Sequence, residues 1–101
     1  MELKHEKKEE LKRRILEIVG KHIDLNSCKV FFFGSRVSGK PRDGSDIDVG
    51  IEGAEPISGG ALAAIQDEID ELPTLYKIEI VDFSRVTETF KKVAREREYI
   101  K

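Results

Sequence analysis

In 101 residues the chain has no tryptophan, one cysteine, no long apolar run and a formal charge of only -2. A single Cys28 rules out an intramolecular disulfide, and its place at the head of an apolar run predicts a buried, unreactive thiol. His5 and His22 stand apart from other ligand-type residues, so zinc, which needs three or four converging groups, is not expected. No run approaches the ~18 apolar residues of a membrane span, and the start MELKHEKKEE has no secretory apolar core. A cytoplasmic protein with no membrane contact is expected. With 18 basic and 20 acidic residues there is no general attraction to nucleic acid. Lys4, Lys7 and Lys8 are interleaved with Glu2, Glu6, Glu9 and Glu10, a solvated helix face rather than a nucleic-acid-binding arm.

What is present fits one domain over residues 1–101, with room for a modest core but not for separate catalytic and substrate-binding domains. Leu11, Ile15, Ile18, Val19 and His22 recur at helical spacing within residues 2–22, and Gly20 and then residues 24–27 end that helix. The run Cys28–Phe33, CKVFFF, is apolar on both alternating faces apart from Lys29, as in a strand covered on both sides. A glycine-containing loop with room for a short helical turn follows over residues 34–45, and residues 46–51 then alternate polar and apolar as a second strand. Leu62, Ile65, Ile69 and Leu72 predict a second helix that Pro73 stops. Residues 75–83, LYKIEIVDF, predict a third strand with Ile78 and Ile80 on one face and Lys77, Glu79 and Val81 on the other. Ser84 is a candidate cap for a last helix with Val86, Phe90, Val93 and Ala94 on its apolar face. The fold class is therefore α/β (α+β).

The chemistry-bearing stretch is residues 34–51, GSRVSGKPRDGSDIDVGI. A glycine straight after a buried strand permits a tight turn, and a helical turn beyond it offers free N–H groups to an anion. Ser35 adds a hydroxyl donor, and Arg36, Lys40 and Arg42 add cations suited to phosphate oxygens. A triphosphate is the natural guest. Residues 34–40 also satisfy G-x-x-x-x-G-K, the front of a P-loop, but Pro41 stands where the magnesium-binding Ser or Thr belongs and pushes Lys40 out of the helical region. Asp46 and Asp48 share one strand face, roughly 7 Å apart along the backbone, and two such acids repel unless a cation lies between them. Hard oxygen ligands suit Mg²⁺, and two ions roughly 4 Å apart could serve the attacking and leaving oxygens of a displacement. A plainer alternative is a turn in which Ser45 and Asp46 form a cap.

The run Gly34-Ser35, ten residues, then Asp46-Ile47-Asp48 resembles the signature of the DNA polymerase β-type nucleotidyltransferases, and the short chain is similar to the minimal nucleotidyltransferases. Arg36, Gly39 and the pair Ser45-Asp46 fit the same pattern. The resemblance implies a small mixed sheet with helices packed on it, two Mg²⁺ ions on Asp46 and Asp48, and transfer of a nucleoside monophosphate, AMP from ATP, to a hydroxyl. It places Gly34, Ser35, Arg36 and Ser45 around the nucleotide. It also implies a third, catalytic and metal-binding carboxylate within an apolar-acid-apolar run on a neighbouring strand. Ile78-Glu79-Ile80 matches, which makes Glu79 the first choice and Asp82 the alternative. Glutamate in place of the usual aspartate shifts the carboxylate by roughly 1.5 Å, enough to weaken a general base that must lie within ~3 Å of its hydroxyl. The plainer reading of Glu79 is a surface pair with Lys77 or Arg36. Minimal members of the family are paired with HEPN-domain proteins, so the implied role is an antitoxin in a toxin-antitoxin system that adenylylates its partner. The alternative is a non-catalytic nucleotide-binding antitoxin that neutralises its partner by direct contact.

Charged residues make up 38% of the chain, mostly Lys, Glu and Arg, an enrichment typical of heat-adapted proteins. A thermal melt is expected to have its midpoint above the mesophilic range of about 45–65 °C; a midpoint inside that range removes this reading.

Overall fold

The computed structural model describes residues 3, 7–34, 37 and 46–101. Helix α1 spans Lys8–Gly20 and buries Leu11, Ile15, Ile18 and Val19, the stripe that the sequence spacing predicts. Glu9 and Glu10 lie in its first turn, where the helix dipole favours negative charge. On the outer face Arg13 pairs with Glu10 at 2.6 Å and with Glu17 at 2.5 Å, contacts that in solvent contribute little each. A short 3₁₀ turn, Leu25–Ser27, follows; the Asp24 carboxylate accepts from the Asn26 N–H at 2.9 Å to start it.

The sheet consists of β1 (Cys28–Phe33), β2 (Ile47–Gly53), β3 (Ile78–Asp82) and β4 (Glu98–Tyr99), in the order β3-β2-β1-β4. β1 is antiparallel to β2 and to β4, whereas β2 and β3 run parallel. The parallel pair needs a crossover, and α2 (Gly59–Asp70) supplies it. The Ser58 hydroxyl caps α2, accepting from the Ala61 N–H at 3.2 Å. A last helix, α3 (Glu88–Val93), precedes β4. The expected mixed sheet with helices is thus the observed architecture.

Alternation along the strands divides the apolar residues between two cores. Val30, Phe32, Ile47, Val49, Ile51 and Ile78 meet α1 and the Ile65 and Ile69 stripe of α2. On the opposite face Phe31, Phe33 and Phe83 pack with Ala94, and Phe83 lies edge-on to both Phe31 and Phe33 at 4.8 Å between ring centroids. Aromatic pairs in this arrangement contribute about 0.5–1.5 kcal/mol beyond the area they bury. The Arg97 guanidinium sits 4.2 Å from the Phe31 centroid and donates to Glu52 at 2.8 Å. Gly50 makes this second core possible, because a Cβ there would fall 2.4 Å from Phe31 and 2.8 Å from Phe83.

Several elements differ from the sequence expectation. α3 is capped by Thr87, whose hydroxyl accepts from the Phe90 N–H at 3.1 Å; Ser84 instead donates to Asp82. β3 begins at Ile78 rather than at Leu75, since the turn at Thr74 takes the Tyr76 N–H at 3.1 Å and leaves Leu75 exposed. β4 was not predicted, because two residues are too few to show a period. Cys28 is half-buried rather than buried, and desolvation, then the nearby Asp24 carboxylate, push its thiol pKa up. His22 meets the Glu68 carboxylate.

Gly50→Ala is expected to destabilise the fold by about 1–3 kcal/mol through overpacking, read as a lower urea midpoint. An unchanged midpoint would mean that the Phe31–Phe83 packing yields freely.

Candidate active site

β1 ends at Phe33, and Gly34 turns the chain with φ +87°, a conformation that side chains other than glycine's rarely adopt. The Val37 N–H donates to the Gly34 carbonyl at 3.0 Å, closing one turn. Glycine is required here for a second reason. A Cβ on Gly34 would lie 2.3 Å from Oδ2 of Asp48, so the Asp48 carboxylate lies directly against the turn.

In the sheet, Asp48 stands opposite Phe33 of β1 and opposite Glu79 of β3. The three form one row, and alternation directs Asp48 and Glu79 to the aromatic face, away from α1 and α2. Burial pushes the Asp48 carboxyl up, and Glu79 and then Asp46 add to the shift by charge repulsion. Asp46, Asp48 and Glu79 therefore occupy one electrostatic neighbourhood. Glu79 has half of its side chain exposed, and its Oε1 lies 3.8 Å from Lys77 Nζ, so the surface pair with Lys77 exists alongside the acidic cluster.

Asp82, the alternative third carboxylate, is not part of this cluster. It lies three residues beyond Glu79, an odd step that turns it to the other face, and it is only 5% exposed. It accepts from the Ile57 N–H at 2.8 Å, from the Ser84 hydroxyl and N–H at 2.5 and 2.9 Å, and from Arg85 at 3.2 Å. Burial pushes its carboxyl up, but these bonds outweigh burial and hold it below the usual carboxylate range. Asp82 is a clamp that ties the loop before α2 to the end of β3. Ser35, Arg36 and Ser45, with the cations Lys40 and Arg42, lie outside the described residues.

The donor set is carboxylate oxygen throughout, which suits a hard divalent cation such as Mg²⁺. Burial first, and then the charges of Glu79 and Asp46, make an ionised Asp48 costly, and a cation beside it would offset that cost, so the residues present fit such an ion. Among the described residues, however, no three acid, histidine or cysteine side chains converge closely enough to form a ready-made shell. Mg²⁺ keeps several waters and takes one or two carboxylates together with substrate phosphate, so a full protein shell is not needed.

Residues 14–100 match the protein family described as Polymerase beta, Nucleotidyltransferase. The chain belongs to this family. It is 30% identical over 66 residues to the Haemophilus influenzae protein named "Probable protein adenylyltransferase MntA", an alignment covering 65% of this chain and 58% of that protein. The aligned part thus spans little more than half the length of that relative. Among solved structures, a toxin-antitoxin complex with AMP-PNP aligns with TM-score 0.70 at 16% identity, covering 89% of this chain and 72% of the other. A tri-AMPylated HEPN toxin of Shewanella oneidensis in complex with its MNT antitoxin gives TM-score 0.67 at 13% identity, covering 90% and 69%. At these identities the structural matches establish the shared nucleotidyltransferase fold.

The raised Asp48 pKa makes a testable statement about stability. A carboxyl whose folded pKa exceeds its unfolded one destabilises the fold above that pKa, and the penalty vanishes as pH falls below the unfolded value. Without divalent cation at pH 7, Asp48→Asn is expected to raise the melting temperature by about 2–5 °C, and the gain should disappear at acid pH. A variant that melts below the wild type at pH 7 would contradict the crowding of acids at this position.

Proposed function

We propose that this chain is a Mg²⁺-dependent nucleotidyltransferase that moves AMP from ATP to a hydroxyl on a HEPN-domain partner, as an antitoxin. The observation that carries the reading is the acidic row: Asp48 pressed against the Gly34 turn, opposite Glu79 and beside Asp46. The similarity to a protein named as an adenylyltransferase, and to complexes titled for AMP-PNP and for an AMPylated HEPN toxin, supports the choice of donor and acceptor.

In this reading Asp46 and Asp48 hold the metal, with Glu79 as a third ligand. When bound, the metal supplies charge neutralisation and positioning for phosphate oxygens. Gly34 lets the turn form tightly against the Asp48 carboxylate, and the triphosphate binds at this turn, with Ser35, Arg36 and Ser45 as its further contacts. A carboxylate oxygen of Glu79 accepts the proton of the acceptor hydroxyl. The oxygen of the acceptor hydroxyl, so deprotonated, bonds to the α-phosphorus, the bond from this phosphorus to its bridging oxygen breaks, and pyrophosphate leaves with the electron pair.

Incubation with α-labelled ATP, Mg²⁺ and the product of the neighbouring gene, a HEPN-domain protein in this reading, is expected to label that product. Asp48→Asn should lower labelling by at least about a hundredfold, as loss of a metal ligand and its electrostatic stabilisation predicts. Equal labelling by variant and wild type, or none by either, would end the catalytic reading. The exposed Glu79 paired with Lys77 favours one alternative, a nucleotide-binding antitoxin acting by contact alone. Tight association that is independent of nucleotide and unchanged in Asp46→Asn and Asp48→Asn, without labelling, would select it.

A further inference from the structure

β3 has β2 on one side and no strand on the other among the described residues. Its outward backbone groups would face water or pair with another chain unless something covers them. Gln66, on the part-buried flank of α2, meets two of them. Its Nε2 donates to the Ile78 carbonyl at 2.9 Å, and its Oε1 accepts from the Ile80 N–H at 2.9 Å. The same Nε2 donates to Asp70 Oδ1, one helical turn on, at 2.9 Å. Two acceptors on the nitrogen and one donor on the oxygen fix which way the amide faces.

These two bonds bracket one residue, and that residue is Glu79. On the inner side of β3 the β2 ladder holds the strand, with Ile47 N–H donating to Lys77 at 2.8 Å and Asp48 in register with Glu79. On the outer side Gln66 does the work of a missing strand over the same three residues. The geometry points to Gln66 as a positioning residue that fixes the backbone carrying Glu79, and so fixes where that carboxylate stands relative to Asp48. This inference rests on the reading of Glu79 as the third carboxylate given above.

Gln66 is distinct from the other α2 residues facing the sheet. Ile65 and Ile69 fill the core and set stability, whereas Gln66 touches the strand through hydrogen bonds alone among its described polar contacts. Loss of its amide leaves Ile78 and Ile80 reaching for water at an edge, with the pleat at Glu79 free to vary. The effect is therefore expected at Glu79 specifically and not across the sheet.

The test compares wild type, Gln66→Ala and Ile65→Val, the last a core change that weakens the same helix without touching β3 backbone groups. Mn²⁺ binding to the full chain is titrated calorimetrically in the presence of AMP-PNP, and amide hydrogen exchange is followed in parallel. Gln66→Ala should weaken Mn²⁺ binding about tenfold, Ile65→Val less than twofold, and Gln66→Ala should have no further effect in a Glu79→Gln background. Exchange at Ile80, the amide that Gln66 holds, should accelerate more than tenfold in Gln66→Ala while Phe32 in β1 changes less than threefold. An equal loss of affinity with or without Glu79, or exchange that rises equally throughout the sheet, would overturn the positioning role. Should wild type bind no Mn²⁺, the metal-site reading fails on its own, and the exchange pattern alone still decides whether Gln66 holds the Glu79 segment.

Discussion

The structure depends on a carboxylate placed where ordinary folding would not put one. Asp48 lies near the start of an inner strand of the sheet, half-buried, with Glu79 on one side and Asp46 close by, and each of these raises the cost of its charge. It is accommodated by removing matter: Gly34 has no Cβ, and a Cβ there would collide with Oδ2 of Asp48. Crowding of like charges beside a bare backbone turn opposes stability, so the remainder of the chain has to supply it. The helix-side core does so through Val30, Phe32, Ile47, Val49 and Ile51 against α1 and α2. The aromatic core under α3 does so on the same face as the acids, a few residues further along β2, where Gly50 admits Phe31 and Phe83.

β2 therefore carries three functions on one alternating face: Asp48 at the acidic end, Gly50 over the rings, and Glu52 paired with Arg97. Arg97 belongs to the segment leading into β4, and Glu98 in that strand reaches Lys8 of α1 at 3.1 Å and Lys12 at 3.4 Å. The C-terminal segment thus locks the aromatic face to the first helix from the far edge of the sheet. The same period of two gives two acids of β3 opposite fates. Glu79 faces the site and is half exposed; Asp82, an odd step later, is enclosed by Ile57, Ser84 and Arg85 and works as a structural joint.

Much of this was legible because strand alternation is a strict rule. CKVFFF delivered β1 to the residue, and the spacing of Asp46, Asp48 and Ile47, Val49 identified which side of β2 would be acidic. The same arithmetic contained the answer on Asp82, since a residue three positions from Glu79 cannot share its face in a regular strand. What stayed hidden depends on contacts distant in sequence. Thr87 and Ser84 are equally good caps on paper, and only the Asp82 carboxylate, which engages Ser84, separates them. β4 exists through pairing with β1 and not through its own two residues. Gln66 reads as an ordinary polar position in α2, and its significance arises only when β3 is placed beside it.

Glu79, as the third carboxylate proposed above, has a longer side chain than the aspartate that the resemblance implies, with a physical consequence for how it is held. A longer side chain has more rotamers to lose, at a cost reaching about 1.5–2 kcal/mol when a glutamate is fully ordered, and an exposed Lys77 competes for its carboxylate at 3.8 Å. A useful position for Glu79 cannot come from the side chain alone. It has to come from the backbone beneath, held by the β2 ladder within the sheet and by an amide from α2 at its open edge. Among the described residues the Gln66 side chain, with a fixed orientation, braces that edge, which makes the precision of the proposed site a property of how α2 docks on β3 rather than of the acidic residues themselves.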